Sequence, residues 1–585
     1  LYGVEEGISE ADLYLCCPVI FLAVVAMIFS VFSRSSFSFC IADLLVSLLF
    51  VLALVNYLFV SEVIYSIKLV HIVMMGLLYL SLRILLPTIR GSESFILMVL
   101  MVCAIMESVE GIRQAFGLTM SSHNLYKITG TFFNPGPYAG YLAITGSIAF
   151  AYLVEKYKEV SGVLSKPSFK MLSRPAVLLY LLCGVTVIIV LIVLPATMSR
   201  AAFVAVTCCV FVILYRNGKI RSFFVKLKSK CSCSAVTGKL FAVFMVIVLV
   251  GGLSFFLYKM KKDSADGRLL IWRVTTSMIT AKPVKGFGIG EFSGEYAMFQ
   301  KKYFEKNPNS VFVGVAGTPD YGFNDYLQIG AEMGIPAVLL LISLLVVTLK
   351  RLFSNRSMLA YGLLALVVFA FFSYPLSLFS FQVLLVLFCA TGASYRGNRE
   401  TTIERRIITV FVLIAWLIVA LLVTDFMKEK LADIKTFKSV SYLYQLELYD
   451  DAIKEFLPLL PSMTDDKVFL FELGHSYNKA GLYEESNRIM ELGTKISGDP
   501  MLYNIMGNNY KELGEYIKGE KSYYEAFGML PNRIYPLYLL MILYEDTGEH
   551  GKALEMAKKI VGFDPKITSE ATEEMKKEAL FMLRH

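Results

Sequence analysis

The chain has 585 residues, 56% of them hydrophobic, and 56 Lys and Arg against 48 Asp and Glu give a formal net charge of +8. Long uncharged runs such as 13–32 and 241–257 lack the alternating or 3.6-residue periods of a soluble core, which excludes a soluble globular enzyme and leaves a polytopic membrane protein. The surplus of positive charge falls mainly in short loops between those runs, where it orients a chain in a bilayer, so a nucleic-acid partner is excluded too.

Taken in chain order, the first element is an apolar run behind LYGVEEGISE, a start with no basic segment or cleavage site, so the first span is expected to be an uncleaved anchor. Open strands cannot satisfy their backbone in lipid, and the apolar runs are therefore helices. Twelve spans are predicted, at 13–32, 41–60, 63–86, 93–111, 136–153, 175–194, 200–215, 240–258, 325–349, 357–374, 377–393 and 407–425. Lys156, Lys158, Lys166, Lys170 and Arg174 mark one cytoplasmic loop, and seven Lys and Arg in 216–239 mark another. Arg34, Arg83, Arg90, Lys350, Arg351, Arg356, Arg396, Arg399, Arg405 and Arg406 fall on the same side.

Two cytoplasmic loops need an even number of crossings between them, and the 41 residues of 175–215 suffice for two helices. The turn at LPATMSR therefore sits on the far side, and Arg200 stands at its rim against the positive-inside trend. It either snorkels to headgroups or serves a function. Residues 110–134, the long loop 259–323 and everything after Asp425 share that side. The ten cysteines lie mostly in or beside apolar runs, as small hydrophobes do; Cys231-Ser-Cys233 has no second pair with metal-ligand spacing.

After the last span the composition becomes soluble. Gly474, Gly507 and Met541 are followed three residues later by Tyr477, Tyr510 and Tyr544, while Gly481, Gly514 and Gly548 mark turns 33 and 34 residues apart and Pro500, Pro531 and Pro565 close the units. This period resembles the tetratricopeptide repeat, whose stacked helix pairs bind protein or brace a neighbour. The reading is thus all-α: a helical membrane bundle over 1–425 and a repeat solenoid over 426–585 on the outer side. Asp465 and Asp466 are expected on a solvated face.

The outer side collects Arg200, Arg268 and Arg273, with Lys282 and Lys285 nearby. Guanidinium forks match phosphate oxygens at any physiological pH, and several at a membrane surface suit a lipid diphosphate. The membrane half carries no Asp-x-Asp motif and no His/Cys cluster, so neither metal nor cofactor is expected. Four ordered blocks, TGTFFNPGPYAGYLA (129–143), TMSRAAFVAV (197–206), GRLLIWR with KPVKGFGIGEF (267–273 and 282–292), and GFNDYLQIGAEMGIP (322–336), resemble the O-antigen ligase and polymerase superfamily, which includes bacterial protein O-oligosaccharyltransferases.

The resemblance implies a metal-independent glycosyltransferase of the bacterial inner membrane. It would take a preassembled glycan from undecaprenyl diphosphate, at the periplasmic face, and pass it to an acceptor hydroxyl of a protein or of lipid A. Arg200 and Arg268 match the arginines that would hold the diphosphate. The histidine expected before Asn324, the favoured group to activate the acceptor, is replaced by Phe323, which can accept no proton. Asp320, Asp325 and Glu332 lie close to it, and His123 lies in the outer loop before the first block.

Asp325 is read as a cap of its helix, with a role as the base the alternative, and Glu332 is expected to brace an arginine. Asn134, Asn324, His123, Arg273 and Lys285 complete the candidate substrate contacts, while His71 reads as a core histidine. Gly286, Gly288 and Gly290 do not form a nucleotide loop, because no strand precedes them. A polymerase with the same chemistry, a transporter of lipid-linked glycan and a membrane-anchored repeat scaffold are the rival readings. No inverted repeat of spans supports the transporter.

Overall fold

The computed structural model describes residues 10–32, 37–62, 67–164, 175–218, 262–395, 401–403, 406–566 and 568–584. These form 22 α-helices and one antiparallel pair of three-residue strands, β1 (Phe37–Phe39) with β2 (Thr401–Ile403). Six helices among the described residues are long and apolar enough to cross a membrane: Ile41–Phe59, Lys68–Thr88, Ser92–Ala115, Pro135–Ser161, Pro175–Ala196 and Ile335–Ser354. Shorter apolar helices, Cys17–Ser30, Leu359–Ala370 and Phe379–Ser394, accompany them. The chain is a multi-pass membrane protein in which fewer helices meet that length and apolarity than the twelve spans expected; the span expected at 240–258 lies outside the described residues.

In chain order the membrane half runs α1 (Glu10–Phe32), α2 (Ile41–Phe59), α3 (Ile67–Leu85), α4 (Ser92–Ala115), α5 (Pro135–Leu164), α6 (Pro175–Ala196) and α7 (Arg200–Arg216). Two helices outside the apolar bundle follow, α8 (Lys262–Ala281) and α9 (Phe292–Lys306), then α10 (Asp325–Met333), α11 (Ile335–Ser354), α12 (Leu359–Ala370) and α13 (Phe379–Ser394). α5 is the central post, packed against α6, α7 and α12. Its small residues let neighbours approach: a Cβ on Gly140 would lie 2.3 Å from the Phe369 ring, and one on Gly146 would lie 3.0 Å from Val190.

Two expectations change. The span expected at 325–349 breaks in two at Gly334, whose φ is +82° and whose added Cβ would meet the Val284 carbonyl oxygen at 2.2 Å. Pro336 then opens α11, so the membrane-crossing helix starts at Ile335 and α10 lies outside it. Arg83, expected among the cytoplasmic loop charges, is buried instead. Its Nε lies 3.0 Å from Asp43 Oδ1, which also accepts from the Tyr79 hydroxyl at 2.7 Å, while the Cys40 N–H donates to Oδ2 at 2.8 Å.

No loop separates the last apolar segment from the C-terminal part. α14 (Arg406–Gln445) runs unbroken for 40 residues, about 60 Å at 1.5 Å per residue. Its distal half, through Ile434 and Phe437, packs with Ala452, Phe456 and Phe469 of the helices that follow. The boundary expected at 425/426 therefore falls inside a helix.

Antiparallel hairpins then stack in order: α15 (Tyr449–Phe456), α16 (Lys467–Lys479), α17 (Tyr483–Ile496), α18 (Pro500–Glu512), α19 (Tyr516–Met529), α20 (Tyr535–Asp546), α21 (His550–Val561) and α22 (Glu570–Met582). Asp465 and Asp466 are not on a solvated face: Asp465 forms a buried ion pair with Lys430 of α14, and Asp466 caps α16 by accepting from the Val468 and Phe469 N–H groups. The stack rests against α9 and the segment after it. Lys301 Nζ reaches Glu525 at 2.5 Å, Gln300 donates to the Met529 carbonyl at 2.8 Å, and Asn532 donates to the Val313 and Ala316 carbonyls at 3.0 and 3.1 Å. The stack and the 262–323 segment therefore share one side of the molecule.

Candidate active site

Arg200 opens α7 just after a tight turn in which Met198 takes φ +53°. Its guanidinium donates to Ser264 Oγ at 3.0 Å. Ser264 lies one helical turn before Arg268 on α8, so the two arginines approach from separate elements onto one helix face. Arg268 donates to the Phe372 carbonyl at 2.8 Å and lies 5.1 Å from the centre of the Phe323 ring. Burial first, and then the charge of Arg200, push its guanidinium down to about 10, so it stays cationic at any cellular pH. Among the described residues no ion pair includes Arg268.

Aromatic rings fix the surface on which Arg268 rests. Tyr321 stacks on Tyr374 at 4.2 Å between centroids and 2° between planes, and Phe323 meets the same Tyr374 edge-on at 5.2 Å. Trp272, one turn after Arg268, donates its indole N–H to the Phe323 carbonyl at 3.4 Å. Phe323 itself adopts φ +47°, uncommon for a side chain of that size and a sign that its surroundings hold the turn. The Gly322 N–H, bonded to Gln328 Oε1 at 3.0 Å, pins the turn to α10.

Asn324 is the N-cap of α10; its side-chain oxygen accepts from the Tyr326 and Leu327 N–H groups at 3.1 and 3.2 Å. This frees Asp325 from capping. Its buried carboxyl accepts from the Leu376 N–H at 2.8 Å, and burial raises its affinity for a proton well above the ordinary carboxylate range. Glu332 braces a lysine rather than an arginine: Lys68 Nζ lies 3.2 Å away, and Gln328 also donates to the same carboxylate oxygen at 3.4 Å.

Asp325, Gln328, Glu332, Lys68 and His71 line the polar end of a cavity of about 310 Å³ whose apolar walls come from α2, α3, α11 and α13. The His71 ring packs 4.9 Å from that of Phe379. The segments Phe323-Asn324-Asp325 and Tyr374-Pro375-Leu376 connect this cavity to the arginines, since each has one end in contact with Arg268 or Phe323 and the other at the cavity wall.

The remaining candidates stand apart from that pair of arginines. Arg273, five residues on from Arg268, turns to the Phe312 ring at 5.1 Å; Lys282 lies over Phe287 at 4.0 Å; Lys285 is exposed. Asn134 caps α5 through the Gly136 N–H at 2.9 Å. His123 accepts from the Leu125 N–H at 3.0 Å and packs on Tyr126, 4.7 Å between rings. Asp320 pairs with Lys467 of α16 at 2.9 Å.

The residues around Gly286 and Gly288 serve close backbone approach. The Phe287 and Gly288 N–H groups donate to the Ala331 and Glu332 carbonyls at 2.9 and 3.0 Å, and a Cβ on Gly286 would strike the Glu332 carbonyl oxygen at 2.3 Å. Asn56 ties the same junction to α2 by donating to the Lys285 carbonyl at 2.7 Å and accepting from the Ile289 N–H at 3.1 Å. Asn56, Tyr374 and Ser264 belong to no sequence motif. An isolated Asn near the end of an apolar run was the one available signal, because a polar side chain there needs a partner.

Arg200, Arg268, Asp325 and Glu332 all fall within residues 185–342, which match the family model described as O-Antigen ligase. No curated protein matches the chain. The match supports a relationship to the O-antigen ligase superfamily and with it a glycosyltransferase-like membrane enzyme.

Proposed function

We propose that the protein is a membrane glycosyltransferase that moves a preassembled glycan from undecaprenyl diphosphate to an acceptor hydroxyl, on protein Ser/Thr or on lipid A, at the periplasmic face of a bacterial inner membrane. The observation that carries this reading is the pairing of Arg200 with Arg268: two cations brought together by separate elements raise the energy of the empty site, and a dianionic diphosphate removes that repulsion. In the reaction the acceptor oxygen bonds the anomeric carbon, the anomeric C–O bond to phosphate breaks, and undecaprenyl diphosphate leaves with its new charge held by the two guanidiniums.

Asp325 takes the acceptor proton in place of the histidine that Phe323 replaces. Its raised proton affinity brings a carboxylate toward the range where a base works near neutral pH. Glu332 orders the turn indirectly, since it holds Gln328, which holds Gly322. Asn134, Asn324 and His123 fix local backbone, and Arg273 and Lys285 supply a basic surface for an anionic lipid. The C-terminal hairpins are a periplasmic tetratricopeptide-type module; a membrane-impermeant thiol label should reach a cysteine placed on Lys577 in intact spheroplasts, and labelling only after the inner membrane is opened overturns that placement.

The test is a reconstituted reaction of the full chain with a polyprenyl-diphosphate-linked glycan, with and without acceptor. One-step transfer to the acceptor is expected. A ladder of lengthening lipid-linked chains would make the enzyme a polymerase, and no new glycosidic bond would support a transporter. With Asp325→Asn, transfer should drop by about 10²-fold or more and lose its rise with pH; an unchanged pH profile removes Asp325 as the base.

A further inference from the structure

Among the described residues, the C-terminal hairpin stack meets the segment that leads into the candidate active site at an ion pair. Lys467, the first residue of α16, lies 2.9 Å from Asp320, and both side chains are 29% exposed. Asp320 immediately precedes Tyr321, which stacks flat on Tyr374 at 4.2 Å. Tyr374 meets Phe323 edge-on, Phe323 lies under the Arg268 guanidinium, and Trp272 holds the Phe323 carbonyl.

The segment from Asp320 to Phe323 is therefore fixed at both ends: by the hairpin stack at its start and by the aromatic surface beneath Arg268 at its finish. α14 joins the stack to the membrane half without a loop, and its Lys430 pairs with Asp465, two residues before Lys467, so the start of α16 is tied to that helix. The Asp466 cap orders the residues on either side of it.

We infer that Lys467 is a positioning residue for the candidate active site, holding Asp320 so that the Tyr321–Phe323 turn presents the ring surface on which Arg268 aligns. This rests on the reading of Arg268 as a diphosphate ligand. The stack then serves the chemistry as a brace for the arginine, beyond any recruitment of an acceptor. Docking of the stack does not depend on Lys467, because Lys301–Glu525, Lys495–Glu62 at 2.6 Å, Gln300 and Asn532 hold the same seam. A partly exposed pair of this kind adds little to global stability, so its loss should act locally.

Trp272 gives a direct readout, since the chain has two tryptophans and the other, Trp416, packs on Phe50 far along the sequence. In full-length protein in nanodiscs carrying Trp416→Phe, Lys467→Ala should shift Trp272 emission to longer wavelength and raise its quenching by acrylamide. The charge-exchanged pair Lys467→Asp with Asp320→Lys should restore both. Should Trp416→Phe not fold, 5-fluorotryptophan in the otherwise native chain reports the same change as a shifted ¹⁹F resonance.

In the transfer assay Lys467→Ala should lower kcat roughly ten-fold, with KM for the lipid diphosphate changed less than about two-fold, and the exchanged pair should recover most of the rate. A Trp272 signal identical in Lys467→Ala and its parent overturns the inference, as does a changed signal that the exchanged pair leaves uncorrected. If the parent itself transfers no glycan, the proposed function falls while the Trp272 comparison still decides whether Lys467 positions the turn.

Discussion

Arg268 is held against its own electrostatic preference. Burial and the neighbouring Arg200 both favour losing its charge, and what it gains from the protein is one carbonyl and one ring face. A cation stored in that way destabilises the empty protein and becomes useful when an anion arrives. Arg268→Met should therefore raise thermal stability by about 1 kcal/mol while abolishing transfer, read by melting of the two proteins in the same detergent at pH 7. The sign with pH follows from the depressed value. Below about 10 the folded and unfolded chains both hold the proton and the cost is complete; above it the folded chain sheds the proton first, so the native protein should gain on Arg268→Met as pH rises through that window. A variant that melts below the native protein at pH 7 would mean that Arg268 is a structural residue. Loop topology and the sequence blocks bring out Arg200 and Arg268 as candidates, while charge and residue type alone leave snorkelling to headgroups as an ordinary use of Arg200. Arg273 shares the sequence block of Arg268 but not its helix face, which spacing alone reveals only once the helix bounds are known.

At the scale of elements, tertiary contact decides where the sequence pattern misleads. The apolar run 325–349 reads as one span, and the reason it breaks lies about fifty residues earlier, in the Val284 carbonyl that leaves no room for a Cβ at Gly334. The hydropathy pattern contains no trace of that carbonyl. α14 was hidden for the opposite reason: the fall in hydropathy after Asp425 looks like a boundary, yet helix propensity continues through KEKLADIKTFK and nothing there stops the helix. Arg83 reads as a loop charge in the sequence because its partner, Asp43, is forty residues away on another helix. That pair makes a sharp prediction. Arg83→Met leaves a buried carboxylate unpaired and should cost about 3–5 kcal/mol, whereas Arg83→Met combined with Asp43→Asn should recover much of it. Thermal melting of the single and double variants checks this; a double variant no better than the single one contradicts the coupling.

Over the whole molecule, the membrane bundle, the 262–323 segment and the hairpin stack are joined by a continuous helix on one side and a seam of ion pairs and glycine contacts on the other. A Cβ on Gly294 would strike the Lys495 carbonyl oxygen at 2.3 Å, so the two surfaces meet at backbone distance. The arginines sit where the bundle, α8 and the Tyr321–Phe323 turn converge; under the proposed function the reacting phosphate would lie between the lipid and the overlying domain. That arrangement suits an amphiphilic donor with its chain in the bilayer and its glycan in the space above. The most direct test is ³¹P NMR titration of the full-length protein in nanodiscs with a polyprenyl diphosphate. The native protein should broaden and shift the diphosphate resonances with saturable binding, and Arg200→Gln with Arg268→Gln should weaken that binding at least about 10²-fold. Equal affinity in the double variant and the native protein would contradict the convergence of the two guanidiniums on a diphosphate.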